Sequence, residues 1–328
     1  MVRVGLPETV PEPLLHSFPR KDIQIIRLPN RLDADLEVEF WIPPASSQAV
    51  MAMFPRLKGV KVMQSLMAGV DWILPWLPKN IILCDGRGLH DIPVAEWIVA
   101  AILASLKRFP HYRDMQQEQF WDGQVRPQEP PAIMSSTELD EADRRRGYRV
   151  LAEELHKKSV LIVGYGSIGA EVERRLRAFD VDVVRIARTA KARIAEVADL
   201  DPLLPSADVV VLLVPLTAET RNLMNADRLA RMKPGALLVN AARGPVVDTD
   251  ALLAALHSGK IRAVLDVTDP EPLPKGHPLW SAPNCFITPH IAGSVAEFSG
   301  RAYEFAGEQV QRYIVGEPLW NQVNDAGY

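Results

Sequence analysis

Apolar residues in this chain gather into short, β-branched runs separated by polar stretches long enough to hold helices. In the first 85 residues the runs are "VRVGL", "DIQIIRL", "LEVEFWI", "VKVMQS" and "IILCD", an alternation that predicts a parallel α/β unit. The pattern then changes period. In "VAEWIVAAILASLKRF", Val94, Trp97, Ile98, Ala101, Ile102, Leu106 and Phe109 recur at helical spacing and predict a long buried helix, placed to bridge two domains or to serve a subunit interface. Pro127 to Tyr148, "PQEPPAIMSSTELDEADRRRGY", carries no period and reads as a surface excursion, with a subunit contact as the alternative. A second α/β series follows in "KSVLIVGY", "VDVVRIA", "DVVVLLV", "ALLVNAA", "RAVLDVT" and "NCFITPH". Six such runs suit a doubly wound sheet of two halves. From Val295 to Ile314, Phe298, Ala302, Phe305, Val310 and Tyr313 share a helical face, which predicts a last helix returning to the first domain.

A length of 328 residues is long for one core, and at roughly 100 to 200 residues per domain it implies two domains. We place one at 1–92 and 292–328, discontinuous, and the other at 93–291. Hydrophobic residues at 48% and charged residues at 24% exclude a largely disordered chain. A net charge of −4 and a pI near 6.0 give no global field for nucleic acid or an anionic membrane, so any anion site must be local. Cys84 and Cys285 are far apart and lack C-x-x-C spacing, which points away from a disulfide framework and toward a reducing cytoplasm. The N-terminal "MVRVGLPETV" has no long apolar stretch, and no apolar run reaches the ~18 residues of a membrane span, so a soluble, unexported protein is expected. No grouping of His, Asp and Glu has convincing metal spacing, and no metal is expected.

"VLIVGYGSIGAEVERRLRAF" places Gly164, Gly166 and Gly169 as G-x-G-x-x-G between a β-branched strand and an amphipathic helix. The first glycine permits a tight turn, the second lets backbone approach a pyrophosphate, and the third allows close helix-to-strand packing. The strand before and helix after separate this pattern from an ordinary βα turn. An acidic residue that binds the adenine ribose belongs about 20 residues further on, at the end of the second strand. Eighteen residues after Gly169 stands Ala187, followed by Arg188 and Thr189. A carboxylate there would repel a 2′-phosphate; Arg188 offers it a planar fork of donors, Thr189 a hydroxyl, and Lys191 and Arg193 positive charge. The expected cofactor is therefore NADP, with NAD possible if Arg188 only stacks on adenine or faces water.

Three segments at the ends of the later strands carry the candidate chemistry: "LLVNAARGPVVDTDALLAAL", "AVLDVTDPEPLPKGHPLW" and "CFITPHIAG". Ligands of open α/β sheets bind outside the carboxyl ends of the strands, so Arg243, Glu271 and His290 can converge on one cleft. With the glycine loop, these motifs resemble the D-isomer-specific 2-hydroxyacid dehydrogenases over nearly the whole chain. The resemblance implies an α/β protein of two Rossmann-like domains, a dinucleotide-binding doubly wound parallel sheet plus a smaller flavodoxin-like substrate domain. It also implies an oxidoreductase interconverting small 2-oxo acids and D-2-hydroxy acids, of glyoxylate or hydroxypyruvate reductase type, working as a homodimer.

By the same resemblance Arg243 matches the arginine that grips the carboxylate and carbonyl oxygen of the 2-oxo acid, a task suited to a bidentate guanidinium. His290 matches the acid/base at the carbonyl oxygen and Glu271 the carboxylate paired with it. Asp266 matches a residue that helps hold the nicotinamide, and Ala68 and Gly69 in "SLMAGVDW" match backbone donors to the substrate carboxylate. Ser167, Ile168, Pro215, Ala241 and Gly293 complete the expected cofactor contacts. Taken singly, Arg243, Glu271 and His290 read as a surface cation, a loop carboxylate and a satisfied histidine; their joint order behind a dinucleotide loop favours catalysis. His90 and Asp91 form a tempting second pair, but capping of the long helix is the simpler role for Asp91. Trp72, Trp76, Trp97, Trp121 and Trp280 are expected in core or interface. Two other readings stay open, a cofactor-sensing binding protein on the same fold and a phosphite- or formate-type dehydrogenase.

Overall fold

The computed structural model describes residues 1–119, 152–188 and 195–323, and the chain divides into two compact units, Met1–Asp91 with Ser294–Tyr328, and Ile92–Gly293. The excursion at 127–148, Trp121, Thr189, Lys191 and Arg193 lie outside the described residues.

In the first unit the strands are β1 (Val2–Pro7), β2 (Ile23–Leu28), β3 (Leu36–Glu37), β4 (Phe40–Trp41), β5 (Leu57–Lys58), β6 (Val62–Gln64) and β7 (Ile82–Cys84). Five of them form a parallel sheet in the order β2-β1-β4-β6-β7, the flavodoxin-like order in which the second strand lies outside the first. Alternate residues point to opposite faces. Val4, Leu6, Phe40, Val62 and Cys84 thus pack with Ala302, Ala306 and Val310 of the C-terminal helix Phe298–Val315, while Trp41, Met63 and Leu83 pack with Val50 and Met53 of the helix Ser47–Met53. "LEVEFWI", read as one strand, is two: β3 leaves the main sheet to pair with β5 in a sheet of its own. Val38, 1% exposed, turns inward between them. The connections are also shorter than the spacing predicts. Glu12–Ser17 forms only a 3-10 turn, consistent with prolines at 11, 13 and 19 denying a longer helix its backbone donors.

The second unit contains β8 (Ser159–Val163), β9 (Asp182–Ala187), β10 (Ala195–Glu196), β11 (Val209–Leu212), β12 (Ala236–Asn240), β13 (Ile261–Leu265) and β14 (Cys285–Ile287), in the order β10-β9-β8-β11-β12-β13-β14, all parallel. This is the doubly wound order, with the direction of winding reversing between β8 and β11. The sequence pattern finds six of these strands; the two-residue β10 is too short to leave a period. Val160, Ile162, Val209, Val211, Leu237 and Val239 line one face and Leu161, Val163, Val210, Leu212 and Leu238 the other, so both faces are buried, as continuous apolar runs require.

The long helix spans Asp91–Leu106, and Val94, Ala95, Ile98, Ala101 and Ile102 bury against the first of those faces. Asp91 is its first residue. Phe109 does not continue its face. Arg108 takes a left-handed φ of 57°, a new helix Phe109–Gln117 starts on Pro110, and Phe109 is 61% exposed. Trp280 is likewise 54% exposed and outside the core, its indole donating to the carbonyl of Pro274.

One polar cluster lies inside the first unit. Gln64 and Gln309 are both fully buried; Gln309 Nε2 donates to Gln64 Oε1 at 2.7 Å and to the Trp320 carbonyl at 3.0 Å, and Trp320 N–H donates back to Gln309 Oε1 at 2.9 Å. Gln64 Nε2 donates to the carbonyls of Ser65 and Asp85. Complete pairing is what makes two buried amides tolerable. Gln309→Leu strands the Gln64 carbonyl and the Trp320 backbone, and we expect it to lower unfolding stability by about 2–4 kcal/mol in urea titrations. A change below about 0.5 kcal/mol would show that the cluster does not hold the C-terminal segment.

Candidate active site

Strands β12, β13 and β14 are neighbours, and their carboxyl ends carry the candidate residues side by side. Beyond β12, Asn240, 1% exposed, closes the turn: its Oδ1 accepts from Ala242 N–H and its Nδ2 donates to the Arg243 carbonyl, each at 3.0 Å. Arg243 follows in an extended conformation, half-buried, with Nη1 donating to the Ala242 carbonyl. Gly244 comes next because nothing larger fits. A Cβ there would lie 1.9 Å from the Thr268 carbonyl oxygen, so the Arg243 turn rests directly on the loop after β13.

That loop holds Asp266, 3% exposed. Its Oδ1 accepts from Thr288 Oγ1 at 2.6 Å and Ile291 N–H at 2.8 Å, its Oδ2 from Ala292 N–H at 2.9 Å, and its backbone carbonyl from His290 N–H at 2.7 Å. Asp266 therefore fixes the whole turn beyond β14, including His290 at a left-handed φ of 53°. His290 Nδ1 stands 2.6 Å from Glu271 Oε1. A carboxylate accepts, so Nδ1 carries the proton and Nε2 is the nitrogen left for a reacting group. Both side chains are partly open, 49% and 39% exposed. The structure thus brings Glu271 and His290 into contact and seats the Arg243 turn against the loop that bears Glu271.

The glycine loop sits on the end of β9, where Gly164 and Tyr165 both donate to the Ile186 carbonyl. Gly164 has φ +100°, and a Cβ on it would meet the Leu213 backbone at 2.6 Å. Gly166 begins the helix Ser167–Leu176 without a side-chain cap, and the space where its Cβ would stand is open. Gly169 packs close to Ile162 on the strand. An uncapped helix start behind an empty cradle fits a dinucleotide pyrophosphate. Ala187 ends β9 and Arg188 is exposed at its tip. Glu219 lies within electrostatic reach: its carboxyl is held below the usual range first by the Thr217 hydroxyl, with Arg188 contributing. The turn after Pro215 therefore faces the same strand tip.

A cluster of four residues here escaped sequence reading. Glu173, in the helix after the glycine loop, has a side chain 3% exposed and accepts from Tyr165 Oη at 2.6 Å, Arg177 Nη2 at 2.9 Å and Arg185 Nε at 2.6 Å, with a further bond from Arg185 Nη2. Tyr165 is the residue between the first two glycines, so this buried carboxylate anchors the loop from behind. A glutamate on the apolar face of an amphipathic helix, facing an arginine in a buried strand, is the signal that could have revealed it. The Arg185 guanidinium first, aided by Tyr165 and Arg177, holds the Glu173 carboxyl down at about 2 against burial.

In the first unit, Ala68 and Gly69 follow β6 in an irregular loop, and their backbone N–H groups donate no hydrogen bond among the described residues. His90 stacks on Phe298, with ring centres 4.5 Å apart and planes 15° apart. Among the described residues no group of three His, Cys, Asp or Glu side chains could hold a metal ion, and no helix is long and apolar enough to cross a membrane.

A family model described as D-isomer specific 2-hydroxyacid dehydrogenase, NAD binding domain, matches residues 99–292. A glyoxylate reductase of Thermofilum pendens is 34% identical over 315 residues, covering 93% of this chain and 82% of its own. A glyoxylate/hydroxypyruvate reductase B of Salmonella heidelberg is 30% identical over 307 residues, 88% of each chain. A crystal structure of a D-isomer specific 2-hydroxyacid dehydrogenase from Xanthobacter autotrophicus Py2, in complex with NADPH and MES, superposes with a TM-score of 0.74 at 30% identity, covering 100% of this chain and 99% of the other. The chain belongs to the D-isomer specific 2-hydroxyacid dehydrogenases, and is thereby an oxidoreductase acting on CH–OH groups.

The Glu173 cluster makes a prediction about stability and pH. Because its carboxyl lies at about 2 in the folded chain against 4.5 ordinarily, its contribution is complete above about pH 4.5 and is lost as pH falls toward 2. Glu173→Gln should cost roughly 2–3 kcal/mol at neutral pH, below the 3–5 of a fully buried pair because Arg185 is 24% exposed. Denaturant melts at pH 7 and near pH 3 test this. A deficit in the variant that failed to shrink at the lower pH would separate Glu173 from the effect.

Proposed function

We propose that this chain is an NADP-preferring reductase of small 2-oxo acids, taking glyoxylate to glycolate or hydroxypyruvate to its D-2-hydroxy acid. The observation that carries the reading is the 2.6 Å contact of His290 with Glu271 on a loop clamped by Asp266. The relatives named as glyoxylate and hydroxypyruvate reductases, and the neighbour holding NADPH, support the substrate and cofactor.

A bound nicotinamide dinucleotide supplies the hydride to the carbonyl carbon, or accepts it in the reverse direction. The backbone of Gly164, Gly166, Ser167, Ile168 and Gly169 would hold its pyrophosphate, Arg188 its 2′-phosphate, and Pro215, Ala241, Asp266 and Gly293 its remaining length. Arg243 is assigned the substrate carboxylate and carbonyl oxygen through its guanidinium fork, and, in the first unit, the backbone N–H groups of Ala68 and Gly69 are assigned as carboxylate donors. His290 Nε2 gives its proton to the carbonyl oxygen as the hydroxyl forms. The ring keeps its Nδ1 proton on Glu271 throughout, so the positive charge it carries beforehand is stabilised by the carboxylate, and its orientation is preserved afterwards. In oxidation Nε2 takes the proton back. We place the enzyme in a reducing cytoplasm as a homodimer; burial pushes both thiols, Cys84 and Cys285, up to about 12, which fits an unreactive, reduced pair.

Initial rates with glyoxylate and hydroxypyruvate, using NADPH and NADH side by side, test the reading. We expect NADPH to be preferred and Arg188→Ala to lower kcat/KM with NADPH by roughly 10- to 100-fold, the worth of a charge-assisted contact, with little change for NADH. His290→Ala should lower kcat by about 10²–10⁴ with NADPH affinity retained. NADH preference would overturn the phosphate assignment, unchanged turnover without His290 the proton route, and no turnover of any short 2-oxo acid the reductase itself.

A further inference from the structure

Arg87 is the feature of the first unit that neither the family chemistry nor the packing accounts for. It lies two residues beyond Asp85, whose side chain is fully buried. Asp85 Oδ1 accepts from Arg87 N–H at 3.0 Å and Arg87 Nε at 2.9 Å, while Oδ2, equally buried, has no hydrogen-bond partner among the described residues. Burial of the carboxylate makes its two bonds to Arg87 the contacts that fix that residue's backbone and its Nε edge. Burial raises the Asp85 carboxyl above its ordinary range, against the pull of Arg87.

The arrangement gains a direction from the surrounding backbone. Gly86 donates to the Met67 carbonyl at 3.0 Å, Ser65 to the Cys84 carbonyl at 2.8 Å, and Gln64 Nε2 to the Asp85 carbonyl. A Cβ on Gly86 would lie 2.3 Å from the Leu66 carbonyl oxygen, so the two loops touch backbone to backbone. From the far side, Asn321 Nδ2 donates to the Arg87 carbonyl at 2.8 Å. Arg87 is thus locked against the loop that ends in the free N–H groups of Ala68 and Gly69. Its own side chain is 37% exposed, and with Nε held by Asp85, Nη1 and Nη2 make no hydrogen bond among the described residues. A guanidinium held by one edge presents its other edge as a preoriented pair of donors for a planar anion.

We propose that Arg87 forms a second anion subsite beside the Ala68–Gly69 loop, one that selects 2-oxo acids bearing a further carboxylate at the end remote from the reacting carbon. The inference rests on the assignment of that loop to substrate. The loop backbone serves the carboxylate that every 2-oxo acid carries, and Arg87 serves only the additional one, so it governs choice among substrates rather than the reaction itself.

The test compares wild type with Arg87→Met, which keeps most of the side-chain stem, using 2-oxosuccinate and glyoxylate under saturating NADPH. We expect KM for the dicarboxylate to rise at least tenfold in the variant while kcat/KM for glyoxylate changes less than twofold, a split that general loosening of the loop would not give. Arg87→Lys, which keeps the cation without the fork, should recover part of the difference. Calorimetry of malonate and acetate binding to the NADP-loaded full chain asks the same question without turnover. Malonate should bind at least tenfold tighter than acetate to wild type, and no tighter in Arg87→Met. Equal loss for both substrates, or a malonate advantage that is absent from wild type or survives in the variant, overturns the subsite. Failure of wild type to reduce either 2-oxo acid would count against the reductase reading alone, since the malonate comparison stands apart from it.

Discussion

The carboxylate of Asp266 is the point on which the His290 turn of the second unit hangs. A turn that carries a histidine at a left-handed φ is a sparsely populated conformation, and it persists only where the surroundings over-determine it. Asp266 does so with three bonds to its side chain and one to its own carbonyl, all from four of the five residues from Thr288 to Ala292. Placing this anchor on a buried central strand ties the position of His290 to the sheet rather than to its own loop. Glu271 and Arg243 come from the next loops along the same edge, and the contact of Gly244 with Thr268 removes the slack between them. Parallel strands deliver such a group because all their carboxyl ends open on one side.

At the other end of the same sheet the problem is electrostatic. The chain as a whole is acidic, so a dianionic phosphate finds no favourable field except where cations are concentrated. The architecture separates two arginines, Arg185 two residues before Ala187 and Arg188 immediately after it. Arg185 is consumed internally by Glu173 and makes the glycine loop stiff, whereas Arg188 faces outward at the strand tip. Arg185 neutralises a buried acid, while Arg188 is exposed where the strand ends.

How much of this was legible in the sequence follows from what leaves a period or a motif. Both sheets and the last helix could be read because burial on two faces forces uninterrupted apolar runs and burial on one face of a helix forces a 3.6-residue repeat. Strand pairs of two residues, such as β3 with β5 and the added β10, leave no such trace, and a left-handed Arg108 ended a helix that the apolar count carried on to Phe109. The glycine loop, Arg243, Glu271 and His290 were visible as residue types in a fixed order. Glu173, Asp85 and Arg87 were not, since their meaning lies in which buried atom each one meets, and that is decided by chain segments far apart in sequence.

The buried acids of the two units then share a logic. Glu173 sits behind the glycine loop and Asp266 behind the histidine turn, each fully partnered, each converting a flexible loop at a strand end into a fixed one. Asp85 occupies the corresponding place beyond β7 of the smaller sheet, and it too holds a loop residue, but with one oxygen still bare. Full partnership makes a carboxylate a structural clamp whose stabilisation offsets its burial. Partial partnership leaves a net cost, so the two bonds that Asp85 accepts from Arg87 hold that residue in place without fully offsetting the burial of the carboxylate.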